Sequence, residues 1–198
     1  MEKDKKYRYR RSIRLKGYDY SQPGAYFITI CTNNRECLFG KIDNQQMEVN
    51  ELGEIVIDVW LCLPTRYPNL ELDEFVIMPN HVHGILVITE ATEQLPQREL
   101  SQPKQRRKML LPKVVGYFKM NSAKAVNQHR LSSGRSLWQP NYYERIIRNE
   151  AELDRVRRYI VNNPAKWNQD CDNLSGNPDQ EEIQFWQDFG RKDLQGNS

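Results

Sequence analysis

The sequence predicts an α+β protein of the ferredoxin-like or RNA-recognition-motif type. A βαββαβ chain should form one four-stranded antiparallel sheet with helices on one face, followed by a further helix at the C-terminal end. Three observations predict this. Runs rich in aromatic and β-branched residues alternate with stretches whose apolar residues recur at helical spacing. Two of the apolar runs are separated only by Pro79-Asn80, which makes them a hairpin pair. Asparagine and proline stand where helices should begin and end.

The elements follow in order. Ala25-Tyr-Phe-Ile-Thr-Ile-Cys-Thr32, after the turn signal Pro23-Gly24, reads as a buried strand. Residues 33–50 are polar and read as irregular. Ile55, Val56, Val59, Trp60 and Leu63 mark a helix from Glu51, capped by Asn50 and stopped by Pro64. Leu70–Met78 and His81–Thr89 are the hairpin strands. Pro112 to about Arg130 is a second helix, and Leu137–Ile147 contains a fourth strand. Asn149 caps a third helix from Glu150 to about Asn163, ended by Pro164. The domain organisation expected is a basic arm over residues 1–20, one catalytic-sized domain over 21–167 with a flexible insertion at 90–108, and an acidic tail over 168–198. That tail is expected to be partly disordered. Ile183, Phe185, Trp186 and Phe189 hint at a short docked helix within it.

The 198 residues, 28% of them charged, read as a soluble globular chain. No apolar run is long enough for a transmembrane helix, and the basic N-terminus lacks the core of a signal peptide. A cytoplasmic location is expected, with four free cysteines rather than disulfides. The net charge of +3 hides a segregation: residues 104–148 carry eleven Lys/Arg against Glu144 alone. Basic blocks of this kind suit a polyanion partner, although they also serve as solvated faces.

The sharpest local feature is Met78-Pro-Asn-His-Val-His83. Side chains two apart on a strand share a face, so His81 and His83 can converge on one ion. They can equally be two surface histidines. Two ligands do not complete a site. Tyr159 and Asn163 lie four apart on the third helix and so share a face there. Asn163 can supply an amide oxygen, and mixed nitrogen and oxygen donors suit Mg²⁺ or Mn²⁺. A phenol beside such an ion can attack a phosphate diester. The simpler reading makes Tyr159 a packing residue and Asn163 a helix C-cap.

These segments resemble a known family. His81-Val-His83 is similar to the His-hydrophobic-His motif of HUH single-strand nucleases, and Tyr159-Ile-Val-Asn-Asn-Pro164 resembles the nucleophile helix of single-tyrosine transposases. More narrowly, the chain resembles the REP-associated tyrosine transposases. The same order of segments includes Arg10-Arg-Ser-Ile-Arg-Leu15, Gly24-Ala-Tyr-Phe-Ile-Thr29 and Leu137-Trp-Gln-Pro-Asn-Tyr-Tyr-Glu-Arg-Ile-Ile-Arg148. The resemblance implies a Mg²⁺- or Mn²⁺-dependent single-stranded DNA endonuclease and strand transferase that acts on hairpin DNA. It implies His81, His83 and Asn163 as metal ligands and Tyr159 as the nucleophile of a 5′-phosphotyrosine intermediate. A monomer or a homodimer, associated with the nucleoid when on DNA, fits this reading. Arg10, Arg11, Arg14, Arg145 and Arg148 become candidate DNA contacts, and Trp138 a base-stacking platform, with core packing as the alternative for the aromatic residues. The alternative function is a non-catalytic single-strand nucleic-acid-binding module descended from such an enzyme.

Overall fold

The computed structural model describes residues 22–90 and 109–191. Six strands and five helices are formed among them: β1 (Gly24–Cys31), β2 (Gly40–Asp43), β3 (Gln46–Val49), α1 (Glu51–Leu61), α2 (Leu63–Arg66), β4 (Leu70–Met78), β5 (His81–Ile88), α3 (Leu110–His129), β6 (Tyr143–Ile147), α4 (Glu150–Asn162) and α5 (Gln180–Asp188). The main sheet has the order β4-β5-β1-β6, every neighbouring pair antiparallel. With β2 and β3 set aside, this is the βαββαβ arrangement that the sequence predicts. No helix among the described residues is long and apolar enough to cross a membrane.

Local chemistry explains the boundaries. The Asn50 side chain accepts from the Leu52 and Gly53 amides at 3.0 and 3.1 Å, which starts α1. α1 ends at Leu61, and Pro64 falls in the first turn of the short α2, where its missing N–H costs nothing. Asn149 caps α4 by accepting from Glu152 N at 2.9 Å. Two expectations are corrected. Pro64 does not stop the first helix, which ends three residues earlier at Leu61, but opens the next one, because its fixed φ suits a first helical turn. Residues 33–50 are not wholly irregular, because β2 and β3 form a two-stranded hairpin. Its turn residues Asn44 and Gln45 both have positive φ, 46° and 63°, which matches the twist of a tight hairpin.

The two faces of the sheet bury different things. Tyr26, Ile28 and Ile30 of β1 and Val82 and Leu86 of β5 face α1 and α3, packing with Val56, Trp60, Val114 and Phe118. Gly84 lies on this face because the Trp60 ring sits where a side chain would be. An added Cβ would come within 2.5 and 2.7 Å of two ring carbons. The opposite face carries Phe27, Thr29, His81, His83 and Ile85, and α4 covers part of it with Val156 and Ile160. The remainder is covered by α5, which docks Phe185, Trp186 and Phe189 against Phe27 and Tyr143. Burying three large aromatic residues contributes several kcal/mol to holding this segment on the sheet.

A buried ion pair ties the same segment down. The Asp172 carboxylate receives both guanidinium nitrogens of Arg191, at 2.6 and 2.8 Å, and Arg35 at 2.8 Å from the turn after β1. Arg191 also lies 4.4 Å over the Trp186 ring. Burial would push the Asp172 carboxyl up, but Arg191 more than offsets this and holds it far below the usual carboxylate range.

Replacing Asp172 with Ala leaves a buried guanidinium unpaired. The unfolding free energy should fall by about 3–5 kcal/mol in urea denaturation at neutral pH. A depressed carboxyl pKa gives stability that is complete above the unfolded value and is lost as pH falls through the folded one. The gap between the two proteins should therefore narrow below about pH 4. Gly84→Ala should cost about 1–3 kcal/mol by overpacking against Trp60, lowering Tm by roughly 2–4 °C per kcal/mol. An unchanged Tm would show that the Trp60 ring can yield.

Candidate metal and tyrosine site

His81 and His83 lie on adjacent in-facing positions of β5, fully buried, with ring centroids 4.3 Å apart. Register places His83 opposite Thr29 of β1 and His81 opposite Cys31. Each ring is held by its Nδ1. Thr29 Oγ1 lies 2.8 Å from Nδ1 of His83. Asn80 Oδ1 lies 2.8 Å from Nδ1 of His81. The Asn80 amide nitrogen donates to the Arg35 and Asp172 carbonyls, at 3.2 and 2.8 Å, so its oxygen is the atom left to accept from His81. His81 Nδ1 therefore carries a proton, and its Nε2 is the atom with a free lone pair when the ring is neutral. Burial, reinforced by the neighbouring His81, lowers the His83 pKa well below its ordinary value and keeps that ring neutral.

Neither Nε2 has a hydrogen-bond partner, and both are buried. They are not alone. Asp170 Oδ2 and Asn163 Oδ1 are also buried without a partner. Asp170 Oδ2 stands 3.5 Å from His81 Nε2. One donor atom each from His81, His83 and Asp170 fit within 4.8 Å of one another. A nitrogen lone pair facing a carboxylate oxygen in a dry interior is repulsive. A cation between them, either a proton on Nε2 or a metal ion, removes the repulsion. The donor set of two imidazoles and a carboxylate, each imidazole braced through its other nitrogen, is one that divalent transition metals take. Burial raises the Asp170 carboxyl, against the lowering effect of His81.

Tyr159 reaches the same cluster from α4. Its ring is 5.3 Å from the His83 ring, edge to face, and stacks on Phe185 at 3.9 Å with the planes 7° apart. Its hydroxyl donates to Glu182 Oε1 at 3.1 Å. That oxygen also accepts from Trp186 Nε1 at 2.7 Å and the Cys171 amide at 3.2 Å. Burial raises the Tyr159 phenol well above its ordinary value, and Asp170 and Glu182 add to the effect. Burial, with Asp170 beside it, raises Glu182 to about 7. Cys171 also lies near Asp170 and Glu182, and burial pushes its thiol far up.

The sequence-predicted residues divide. His81, His83, Asn163 and Tyr159 converge on one buried cluster. Asn163 is the C-cap of α4, and its buried side chain lies beside Asp170. Trp138 does not offer a stacking surface. It is 4% exposed, packs against Phe39 and Phe118, and donates from Nε1 to Ser122 Oγ at 2.9 Å. The packing alternative holds for it, because the chain there makes only one bridge, Thr32 to Trp138, before β6 begins at Tyr143. Arg145 is engaged with Glu152 at 2.8 Å and lies over the Phe189 ring. Arg148 is exposed. Arg10, Arg11 and Arg14 lie outside the described residues, as do residues 91–108 of the insertion. Sequence reasoning missed Asp170 and Glu182. Their acidic surroundings read as a solvated tail; the available signal was the docked-helix pattern of Phe185, Trp186 and Phe189 nearby.

No family model matches the chain. A transposase described as REP-associated and solved bound to a REP hairpin is 21% identical, with a TM-score of 0.47 over 80% of this chain and 73% of that one. An inferred transposase from Deinococcus radiodurans R1 is 22% identical, with a TM-score of 0.43 over 75% of this chain and 95% of that one. These likenesses concern general architecture and carry nothing about chemistry. In sequence, the chain is 44% identical over 174 residues to an uncharacterized protein of Haemophilus influenzae, a match covering 82% of this chain and 92% of the relative. The chain belongs to the same family as that Haemophilus influenzae protein.

Proposed function

We propose that this chain is a metal-dependent endonuclease and strand transferase of the transposase type. It would act on hairpin-bearing single-stranded DNA through a phosphotyrosine on Tyr159. The observation that carries this reading is the set of unsatisfied atoms beside the tyrosine: Nε2 of His81, Nε2 of His83, Oδ2 of Asp170 and Oδ1 of Asn163, all buried. Native interiors rarely leave so many polar atoms unpaired in one place, and a divalent cation would satisfy the three donors that lie within 4.8 Å of one another, on His81, His83 and Asp170. The hairpin substrate and the choice of Mg²⁺ or Mn²⁺ rest on the sequence resemblance.

His81, His83 and Asp170 would hold the ion, with Asn163 as a fourth donor. When bound, the ion polarises the scissile phosphate and orients it. The chain's own residues do the rest. Thr29 and Asn80 keep the two imidazoles turned with Nε2 inward. Phe185 fixes the plane of the Tyr159 ring. The phenol oxygen forms the new bond to phosphorus as the bond to the 3′ oxygen breaks, and the proton that the phenol gives up is balanced by the one that the leaving 3′ oxygen takes up. The products are a 5′-phosphotyrosine and a free 3′-hydroxyl. Attack by another 3′-hydroxyl on that linkage reverses the step and joins strands, because the energy of the original diester is retained.

Purified protein should form a covalent adduct with hairpin oligonucleotides copied from inverted repeats beside its gene, seen on denaturing gels with Mn²⁺ and abolished by EDTA. Tyr159→Phe should bind the hairpin within about twofold of the wild type yet form no adduct, a loss of at least about a thousandfold. An adduct that persists in Tyr159→Phe would assign the nucleophile elsewhere. Hairpin binding with no cleavage in saturating Mn²⁺ would leave a binding module instead. His83→Ala should weaken Mn²⁺ binding by at least about tenfold in calorimetry; equal affinity would remove His83 from the ligand set.

A further inference from the structure

The four-stranded core and α4 carry both histidines and the tyrosine, yet among the described residues Tyr159 meets its hydrogen-bond acceptor in the segment that follows. We infer that Glu182, on α5, is a positioning residue that sets the direction of the Tyr159 hydroxyl for attack. The inference rests on Tyr159 being the nucleophile, as proposed above.

The geometry is over-determined in a way that packing alone does not require. The stacked Phe185 ring and the edges of His83 and Trp186 hold the phenol ring in one plane. Within that plane a phenol O–H has two favoured directions. Glu182 Oε1, at 3.1 Å, selects one and leaves a lone pair directed away from itself. Oε1 is not free to drift, because Trp186 Nε1 and the Cys171 amide donate to the same atom. Glu182 is held in turn at the start of α5, where its own amide donates to Asp179 Oδ1 at 2.8 Å. Trp186 is braced by the Arg191 guanidinium, which is fixed by Asp172. A chain of contacts thus runs from the buried ion pair to the phenol oxygen. Misplacing an attacking atom by an ångström costs up to about a hundredfold in rate, so a residue that aims the oxygen matters even without touching the DNA.

The consequence distinguishes this role from that of a cover. If the segment merely shielded the tyrosine, loosening Glu182 would raise the rate of adduct formation. If Glu182 aims the oxygen, loosening it lowers that rate. Two variants of the full chain separate the roles. Glu182→Met fills similar volume without an acceptor, and Glu182→Gln keeps an acceptor oxygen.

Single-turnover adduct formation with Mn²⁺ should fall about tenfold or more in Glu182→Met, with hairpin affinity within about twofold of the wild type. Glu182→Gln should stay within about threefold of the wild-type rate. A second readout needs neither metal nor DNA. A 3-fluorotyrosine placed at position 159 should show a ¹⁹F resonance that moves in Glu182→Met and returns toward its wild-type position in Glu182→Gln. If Glu182→Met does not fold, Trp186→Phe is the second variant. It keeps an aromatic ring in the core but frees Oε1 of the indole bond, and it should slow adduct formation severalfold at unchanged hairpin affinity. A Glu182→Met protein, or in its place a Trp186→Phe protein, with wild-type or faster adduct formation and an unmoved ¹⁹F resonance overturns the inference. If the wild type forms no adduct, the proposed function falls; an unmoved ¹⁹F resonance would then remove the positioning geometry as well.

Discussion

The Asp172 carboxylate, buried and shared by Arg35 and Arg191, is the contact on which the site's architecture depends. A βαββαβ sheet packs its two connecting helices on one face and leaves the other open. Here α4 closes half of that second face, and the chain after it must close the rest. Aromatic burial supplies most of the attraction, but it is non-directional and would accept several placements of α5. The Asp172 pair accepts few. It joins the turn after β1 to residue 191, and through the Asp172 carbonyl it reaches Asn80, the residue that orients His81. One carboxylate therefore links the docking of the tail to the aim of a candidate metal ligand. A buried ion pair is weak evidence for net stability against an apolar alternative. Its geometry nonetheless makes it a good device for specifying one arrangement.

Much of this was legible in the sequence. The pairing of His81 with His83 follows from the twofold repeat of a strand, and the face shared by Tyr159 and Asn163 follows from the helical repeat. Asn50 and Asn149 mark helix starts through backbone chemistry that acts locally. What was not legible depends on partners far along the chain. The β2–β3 hairpin carries Lys41, Asp43, Gln46 and Glu48 on its exposed positions and turns at Asn44-Gln45 rather than Asn-Gly, so neither its composition nor its turn announces a strand pair. Asp170 and Asp172 are acids in an acidic stretch. Only the arrival of Arg191, Arg35 and His81 makes their burial affordable. Trp138 sits among polar residues that suggest a surface strand, yet the hydroxyl of Ser122 on α3 satisfies its indole nitrogen and lets it enter the core.

The charge around the cluster carries the last step. Asp170, Asp172 and Glu182 stand within or beside it, and among the described residues only Arg191 and Arg35 oppose them closely. In a medium that screens poorly, such a site repels a phosphate diester unless its sign is changed. A divalent ion among His81, His83 and Asp170 would change it, converting an acidic cluster into one that could attract the backbone of a nucleic acid. The same ion would neutralise Asp170, one of the charges that push Glu182 and Tyr159 upward. For a chain that handles DNA with this site, metal occupancy and substrate approach are then two views of one electrostatic requirement. The basic residues between Lys113 and Arg148 could draw a polyanion to the surface, but they are not among the groups that act on the acids at the centre of the cluster.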